Sequence, residues 1–311
     1  MQKSLERFWI SWINSDKWRA FAKHGPGSKL FRSNAYLKLN MARRYVTTYY
    51  KCRQEPTQFK DVKTFCMFIG HVKSGSTLIG SLLDAHPNVI LADEADALKY
   101  VSSGFSRDQL FHILLKASHR EALKGRVTAR RLNAYSLSVP DQWQGRYNKL
   151  QVIGDSKAGP STRIISRDPQ LIQRLNTVMS GIDVKLIQVI RNPYDPISLM
   201  MIRGRRSFEN AVKHYFAYCE TLADIRAKMN ESSLLPVRYE EFIRQPEENF
   251  LKVCDFLGIE ATAEYVSACL GILYSSPEQS RHLVPWSPQW IEVVKHKIDQ
   301  FDFLGGYSYE N

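Results

Sequence analysis

The apolar run Thr64 to Ile69 leads straight into Gly70-His-Val-Lys73-Ser74-Gly75-Ser76-Thr77, and a helical pattern follows at once. A short apolar run without polar alternation suits a strand buried on both faces. Beyond the loop, Leu78, Ile79, Leu82 and Leu83 recur at helical spacing until His86-Pro87 ends the pattern. A buried strand, a glycine-bearing loop and a helix in that order, repeated along the chain, argue for a mostly parallel sheet covered on both faces. Such a loop turns backbone N–H groups and a helix N-terminus toward an anion.

The same alternation continues along the chain. Val89 to Leu91, Leu150 to Ile153, Lys185 to Ile190 and Leu234 to Val237 read as further strands. Helical patterns fill the gaps, such as Phe208, Val212, Tyr215, Phe216, Cys219 and Leu222. The expected fold is therefore α/β: a three-layer P-loop-type domain with a central parallel sheet of about five strands flanked by helices. The segment from Ser102 to Tyr147 reads as helical and is placed beside an acceptor pocket. Ligands of such sheets bind beyond the carboxyl ends of the strands, where every motif below falls.

The loop spacing is close to G-x-x-x-x-G-K-[ST], the ATP–Mg²⁺ loop of P-loop kinases. Here Ser76 stands at the lysine position, and the lysine lies inside the loop at Lys73. No obvious magnesium-holding acid of the kind that such kinases use follows an apolar strand. A small-molecule kinase is thus the weaker alternative, as is a non-catalytic nucleotide-binding protein on the same fold. A purely structural reading makes Ser74 or Ser76 a helix N-cap.

Three other strand ends carry chemistry. Lys185 to Ile190 delivers Arg191 ahead of Asn192-Pro193, and a guanidinium there grips phosphate through two hydrogen bonds or caps the sheet edge by pairing with Asp195. Asp93-Glu94 follows the second strand, and a carboxylate at that point supplies a base for a hydroxyl acceptor or serves as a first-turn acid. His71 is the alternative base, and His86 before Pro87 reads as a turn residue. Lys157, in Gly154-Asp155-Ser156-Lys157, either stabilises charge on a transferring group or is solvated in its loop.

Lys73 to Leu78, with Leu82-Leu83-Asp84-Ala85-His86-Pro87-Asn88-Val89, resembles the PAPS-dependent sulfotransferase superfamily, in motif closest to tyrosylprotein sulfotransferases and related bacterial enzymes. Leu235-Pro-Val-Arg238-Tyr239-Glu240-Glu241-Phe242 and Phe256-Leu257-Gly258 resemble further segments of that superfamily. The resemblance extends over about residues 62–307. It implies 3′-phosphoadenosine 5′-phosphosulfate (PAPS) as cosubstrate and no metal. It implies that Lys73 meets the bridging oxygen of the phosphosulfate, while Ser74, Gly75, Ser76 and Thr77 hold the 5′-phosphate. It gives Arg191 the 3′-phosphate, with Arg281 of Ser280-Arg281-His282 beside it. It makes Glu94 the base and brings Lys157 to the transferring group. Two departures stand out: tyrosylprotein enzymes usually carry arginine at the Lys73 position, and the serine usual eight residues after Arg191 is replaced by Leu199, with Ser198 one residue early. Arg238 to Phe242 reads as architecture.

The net charge of +12 is concentrated at one end: residues 1–60 carry thirteen of the 43 lysines and arginines and three of the 31 acids. Leu5, Phe8, Trp9, Trp12 and Ile13 form one helical face, and Gly25-Pro26-Gly27-Ser28 breaks the chain after it. We divide the chain into a basic, aromatic helical arm, residues 1–61, and a catalytic domain, residues 62–311. The arm suits an anionic membrane surface, an acidic partner or the catalytic domain itself. The near-balanced remainder gives no reason to expect nucleic acid as a partner. Phe8 to Ile13 is too short for a signal-peptide core, and the five cysteines lack a CxxC pair. A cytoplasmic, membrane-peripheral enzyme with free thiols is the expectation.

Overall fold

A computed structural model describes residues 34–93, 95–126 and 136–311. The Leu5–Ile13 face, the Gly25–Ser28 break and Glu94 lie outside the described residues. The chain divides into two compact units, Met1–Glu55 and Pro56–Asn311. The described part of the first is a helix, α1 (Asn34–Gln54), with Lys51 and Arg53 in its last turn, where the helix dipole favours cations.

The second unit is built on five parallel strands: β1 (Thr64–Gly70), β2 (Val89–Ala92), β3 (Val152–Asp155), β4 (Asp183–Ile190) and β5 (Leu234–Arg238). Their order is β2-β3-β1-β4-β5. Both neighbours of β1 run parallel to it, with Thr64 level with Val152 on one side and Asp183 on the other. Strand β1 is buried throughout, as its uninterrupted apolar run requires.

Side chains alternate across that strand. Cys66 and Phe68 join a core layer with α2 (Ser76–Leu83), α9 (Tyr239–Arg244), α10 (Pro246–Leu257) and α11 (Ala263–Leu270). Phe65 points to the other face and stacks on Phe111 of α4 (Arg107–Leu123), at 6.3 Å. On that face α5 (Ala158–Arg167) and α8 (Phe208–Lys228) pack on β1 and on each other. The remaining helices are α3 (Ala97–Ser102), α6 (Leu171–Val178), α7 (Tyr194–Gly204) and α12 (Pro288–Ile298). No described helix is long and apolar enough to cross a membrane.

The segment expected to be helical from Ser102 to Tyr147 is so only in part. Among its described residues, α4 ends at Leu123, and residues 136–147 form no helix. Pro140 and the left-handed Gly145 oppose helix there. The backbone instead bonds back to the turn after α2, from Trp143 N–H to the Ala85 carbonyl (3.0 Å) and from Asn148 N–H to the Pro87 carbonyl (2.7 Å).

Connections after β1 lead toward β2 and β3, and those after β4 lead toward β5. The crevice where this direction changes lies between the carboxyl ends of β1 and β4.

Candidate functional site

The loop after β1 is tightly folded. Lys73 has φ +68°, in the left-handed region that a residue with a β-carbon enters at a cost of about 1–2 kcal/mol. Gly75 follows at φ +105° and is the N-cap of α2, with no side-chain cap. The sequence-level alternative of a Ser74 or Ser76 cap is therefore not what forms. Ser74 is instead 1 % exposed, and its buried hydroxyl has no hydrogen-bond partner among the described residues.

Tyr239, the first residue of α9, roofs the loop. A β-carbon added at Gly75 would lie 2.3 Å from the Tyr239 ring, so glycine is required there twice over, by φ and by contact. The other wall is the loop after β3. Gly159 lies so close to Val72 that a β-carbon would fall 2.5 Å from its side chain. This contact seats Lys157 and the start of α5 against the anion loop. The Lys157 ammonium pairs with Asp96 at 3.1 Å, and the Ser156 hydroxyl donates to Asp93 at 3.5 Å.

Across the crevice, Arg191 is 5 % exposed. It donates to the Lys73 carbonyl at 3.0 Å and to the Glu278 carbonyl, and its guanidinium lies over the Tyr239 ring at 4.9 Å. Asp195, one turn on, sits 3.8 Å from Arg191 Nε. The same carboxylate accepts from the backbone N–H of Arg281 at 2.8 Å and from its Nη1 at 3.0 Å. Burial nevertheless pushes the Asp195 carboxyl above its ordinary range. Two buried guanidiniums thus share one carboxylate, and Arg191 Nε with Arg281 Nε and Nη2 have no hydrogen-bond acceptor among the described residues. Buried donors without acceptors are costly, and these have the geometry and charge to take an anion.

Ser198 lies on α7 nearby, fully buried, and accepts from the Trp286 indole at 3.0 Å. Its hydroxyl proton is not committed by that bond. Leu199 is also buried. Thus Lys73, Ser74 and Gly75 in the loop lead into Ser76 and Thr77 in the first turn of α2, Arg191 bridges to the loop, and Arg281 joins Arg191 through Asp195.

The two histidines have structural surroundings. His71 is 5 % exposed, stacked on Tyr215 at 3.7 Å and bonded to that residue's carbonyl at 2.9 Å. Burial pulls its pKa down to about 4. A neutral, packed imidazole of this kind is a poor base for an external acceptor. His86 shapes the turn as expected, taking the Asn88 N–H at 3.1 Å and facing the Glu260 carbonyl at 2.9 Å. Asp93 precedes α3, whose N-cap is Asp96, so it is not a first-turn acid.

Sequence reasoning missed three neighbours of these residues: Tyr239, Asp195 as a shared counterion, and Asp96. The Arg238-Tyr239-Glu240 segment is architecture at its outer members, since Arg238 bonds the Gly305 carbonyl at 2.6 Å and Glu240 takes the Asn192 N–H at 2.9 Å. Its middle member touches both the loop and Arg191. An aromatic at the end of a strand on the ligand edge was the available signal.

Residues 67–263 match the family model described as the sulfotransferase family. No curated protein matches the chain. Among solved structures, the sulfotransferase domain of the olefin synthase of Synechococcus PCC 7002 is 16% identical at TM-score 0.46, covering 76% of this chain and 94% of its own. A sulfotransferase of Alicyclobacillus acidocaldarius is 17% identical at TM-score 0.45, covering 78% and 95%. Sulfotransferase STF9 of Mycobacterium avium is 12% identical at TM-score 0.47, covering 82% and 81%.

Proposed function

Since the chain belongs to the sulfotransferase family, we propose that it moves the sulfuryl group of PAPS onto a hydroxyl or amine acceptor, releasing adenosine 3′,5′-bisphosphate. The observation that carries the donor assignment is the Arg191–Asp195–Arg281 cluster with its unfilled donors. A nucleotide charged at its 5′ end alone has no use for a second buried cationic site. One phosphorylated at both ends needs the loop for one group and the arginines for the other.

On this reading the first-turn N–H groups of α2, with Ser74, Ser76 and Thr77, hold the 5′-phosphate. Lys73 faces the bridging oxygen, where charge grows as the sulfur–oxygen bond breaks, and Lys157 faces the sulfuryl oxygens. Arg281, Arg191 and Ser198 receive the 3′-phosphate. Glu94 takes the acceptor proton. The acceptor is to be found with a panel of tyrosyl peptides, sugars and lipid alcohols and ³⁵S-labelled PAPS.

Calorimetry tests the donor site directly. The chain is expected to bind adenosine 3′,5′-bisphosphate equally well with EDTA or Mg²⁺, and to bind ATP weakly. Tight, Mg²⁺-dependent ATP binding with no response to the bisphosphate would overturn the assignment. A second expectation comes from Gly75→Ala. Its β-carbon must displace the Tyr239 ring on which Arg191 rests, at about 1–3 kcal/mol for an overpacked contact. Bisphosphate affinity should fall roughly tenfold to a hundredfold. Unchanged affinity would show that Tyr239 yields without cost to the site.

A further inference from the structure

Asp155 ends β3 with its side chain fully buried. One carboxylate oxygen accepts from the backbone N–H of Ala97 at 2.7 Å, and the other accepts from the backbone N–H of Lys157 at 3.2 Å. Ala97 is the first residue of α3, directly after Asp96. Asp96 in turn holds the Lys157 ammonium, with its own backbone in the left-handed region at φ +59°. The Asp96–Lys157 ion pair is therefore fastened at both ends by one buried carboxylate.

We propose that Asp155 is a positioning residue for transfer, tying Asp96 and the start of α3 to the Lys157 loop so that Lys157 meets the transferring group in register. This rests on the sulfotransferase reading and adds a residue that acts only through others. A carboxylate fits the task because it offers an acceptor to each of two backbone donors. A protonated carboxyl offers one oxygen and turns an O–H toward the other donor.

The surroundings put that switch near neutrality. Burial pushes the Asp155 carboxyl up to about 7, and Asp96 adds to the rise, while the Ala97 and Lys157 N–H groups and the Lys157 ammonium oppose it. On β1, the Cys66 thiol is pushed up by burial and, less, by the Asp155 charge, and so stays neutral. Because the folded-state value is raised, ionising Asp155 costs stability: the contribution is most favourable below the unfolded carboxyl range near 4 and is lost as pH rises through about 7. The catalytic sign is opposite. The fastened, ionised form prevails above about 7, so turnover should rise through that range.

Asp155→Asn mimics the protonated form at every pH. With the best acceptor of the panel, kcat at pH 8 should fall about tenfold, in line with the effect of a misplaced supporting group. The variant and the wild type should converge toward pH 6, and the variant should lack the rise near 7. Adenosine 3′,5′-bisphosphate should bind both alike, because the loop and arginines are untouched. A wild-type pH profile in the variant overturns the proposal, and so does a parallel loss of bisphosphate binding, which would make Asp155 a fold residue. Failure of the wild type itself to bind the bisphosphate would instead strike the sulfotransferase reading. Should the variant not fold, amide exchange in the wild type decides: protection at Ala97 and Lys157, corrected for intrinsic rates, should fall together as pH drops through 7, and pH-independent protection overturns the proposal.

Discussion

Lys73→Ala is expected to lower sulfuryl transfer by on the order of a hundredfold or more, the loss typical of removing one preorganised charge stabiliser. Its partner interactions explain why the fold should survive. The Lys73 backbone carbonyl takes the Arg191 hydrogen bond, and alanine keeps that carbonyl. Alanine also keeps the β-carbon, so the strain of φ +68° is the same in both proteins. The variant then isolates the ammonium group. Turnover with ³⁵S-labelled PAPS should collapse while melting temperature stays near that of the wild type. Near-normal turnover would remove Lys73 from the chemistry and leave its loop a binding element alone.

The sheet and the anion loop were legible because their signals are local. An apolar run, a glycine at a sharp turn and an amphipathic helix follow one another within a few residues, so β1 and α2 emerge within one residue of the positions read from the sequence. The third strand was placed two residues early. Leu150 is buried, as an apolar residue before a strand should be, but ladder pairing with β1 starts only at Val152. Apolarity reports burial, and burial extends past the hydrogen-bonded ladder.

The site was legible one strand end at a time. Lys73, Lys157 and Arg191 each follow a strand, and a parallel sheet brings all such positions to one edge. What links them was not legible. Tyr239 is 48 residues from Arg191 and far further from Gly75, yet it lies against both. Asp195 could be paired with Arg191 at helical spacing, but its sharing with Arg281 depends on a contact across 86 residues. Asp155 reads as an ordinary strand-end acid until the two N–H groups that it holds are seen. Contacts of this kind come from tertiary packing, to which no local pattern corresponds.

Arg281→Met should separate the two ends of the nucleotide. Methionine roughly fills the space of the arginine stem and removes the donors at Nε and Nη2. If those donors serve the 3′-phosphate, each charge-assisted hydrogen bond lost is worth about 1.5–3 kcal/mol, so adenosine 3′,5′-bisphosphate should weaken by roughly a hundredfold or more. Adenosine 5′-monophosphate, which lacks the 3′-phosphate, should change little. Arg191→Ala should behave differently. Arg191 already gives hydrogen bonds to the Lys73 and Glu278 carbonyls and rests on Tyr239, so its loss also slackens the 5′ loop. Both nucleotides should weaken in that variant, with the bisphosphate losing more. Calorimetry of two nucleotides against two variants gives four affinities. The ratio of bisphosphate to monophosphate loss should be larger for Arg281→Met than for Arg191→Ala. Equal losses of both nucleotides in Arg281→Met would make Arg281 a scaffold for Asp195, and the buried donors would then belong to the fold's own internal strain.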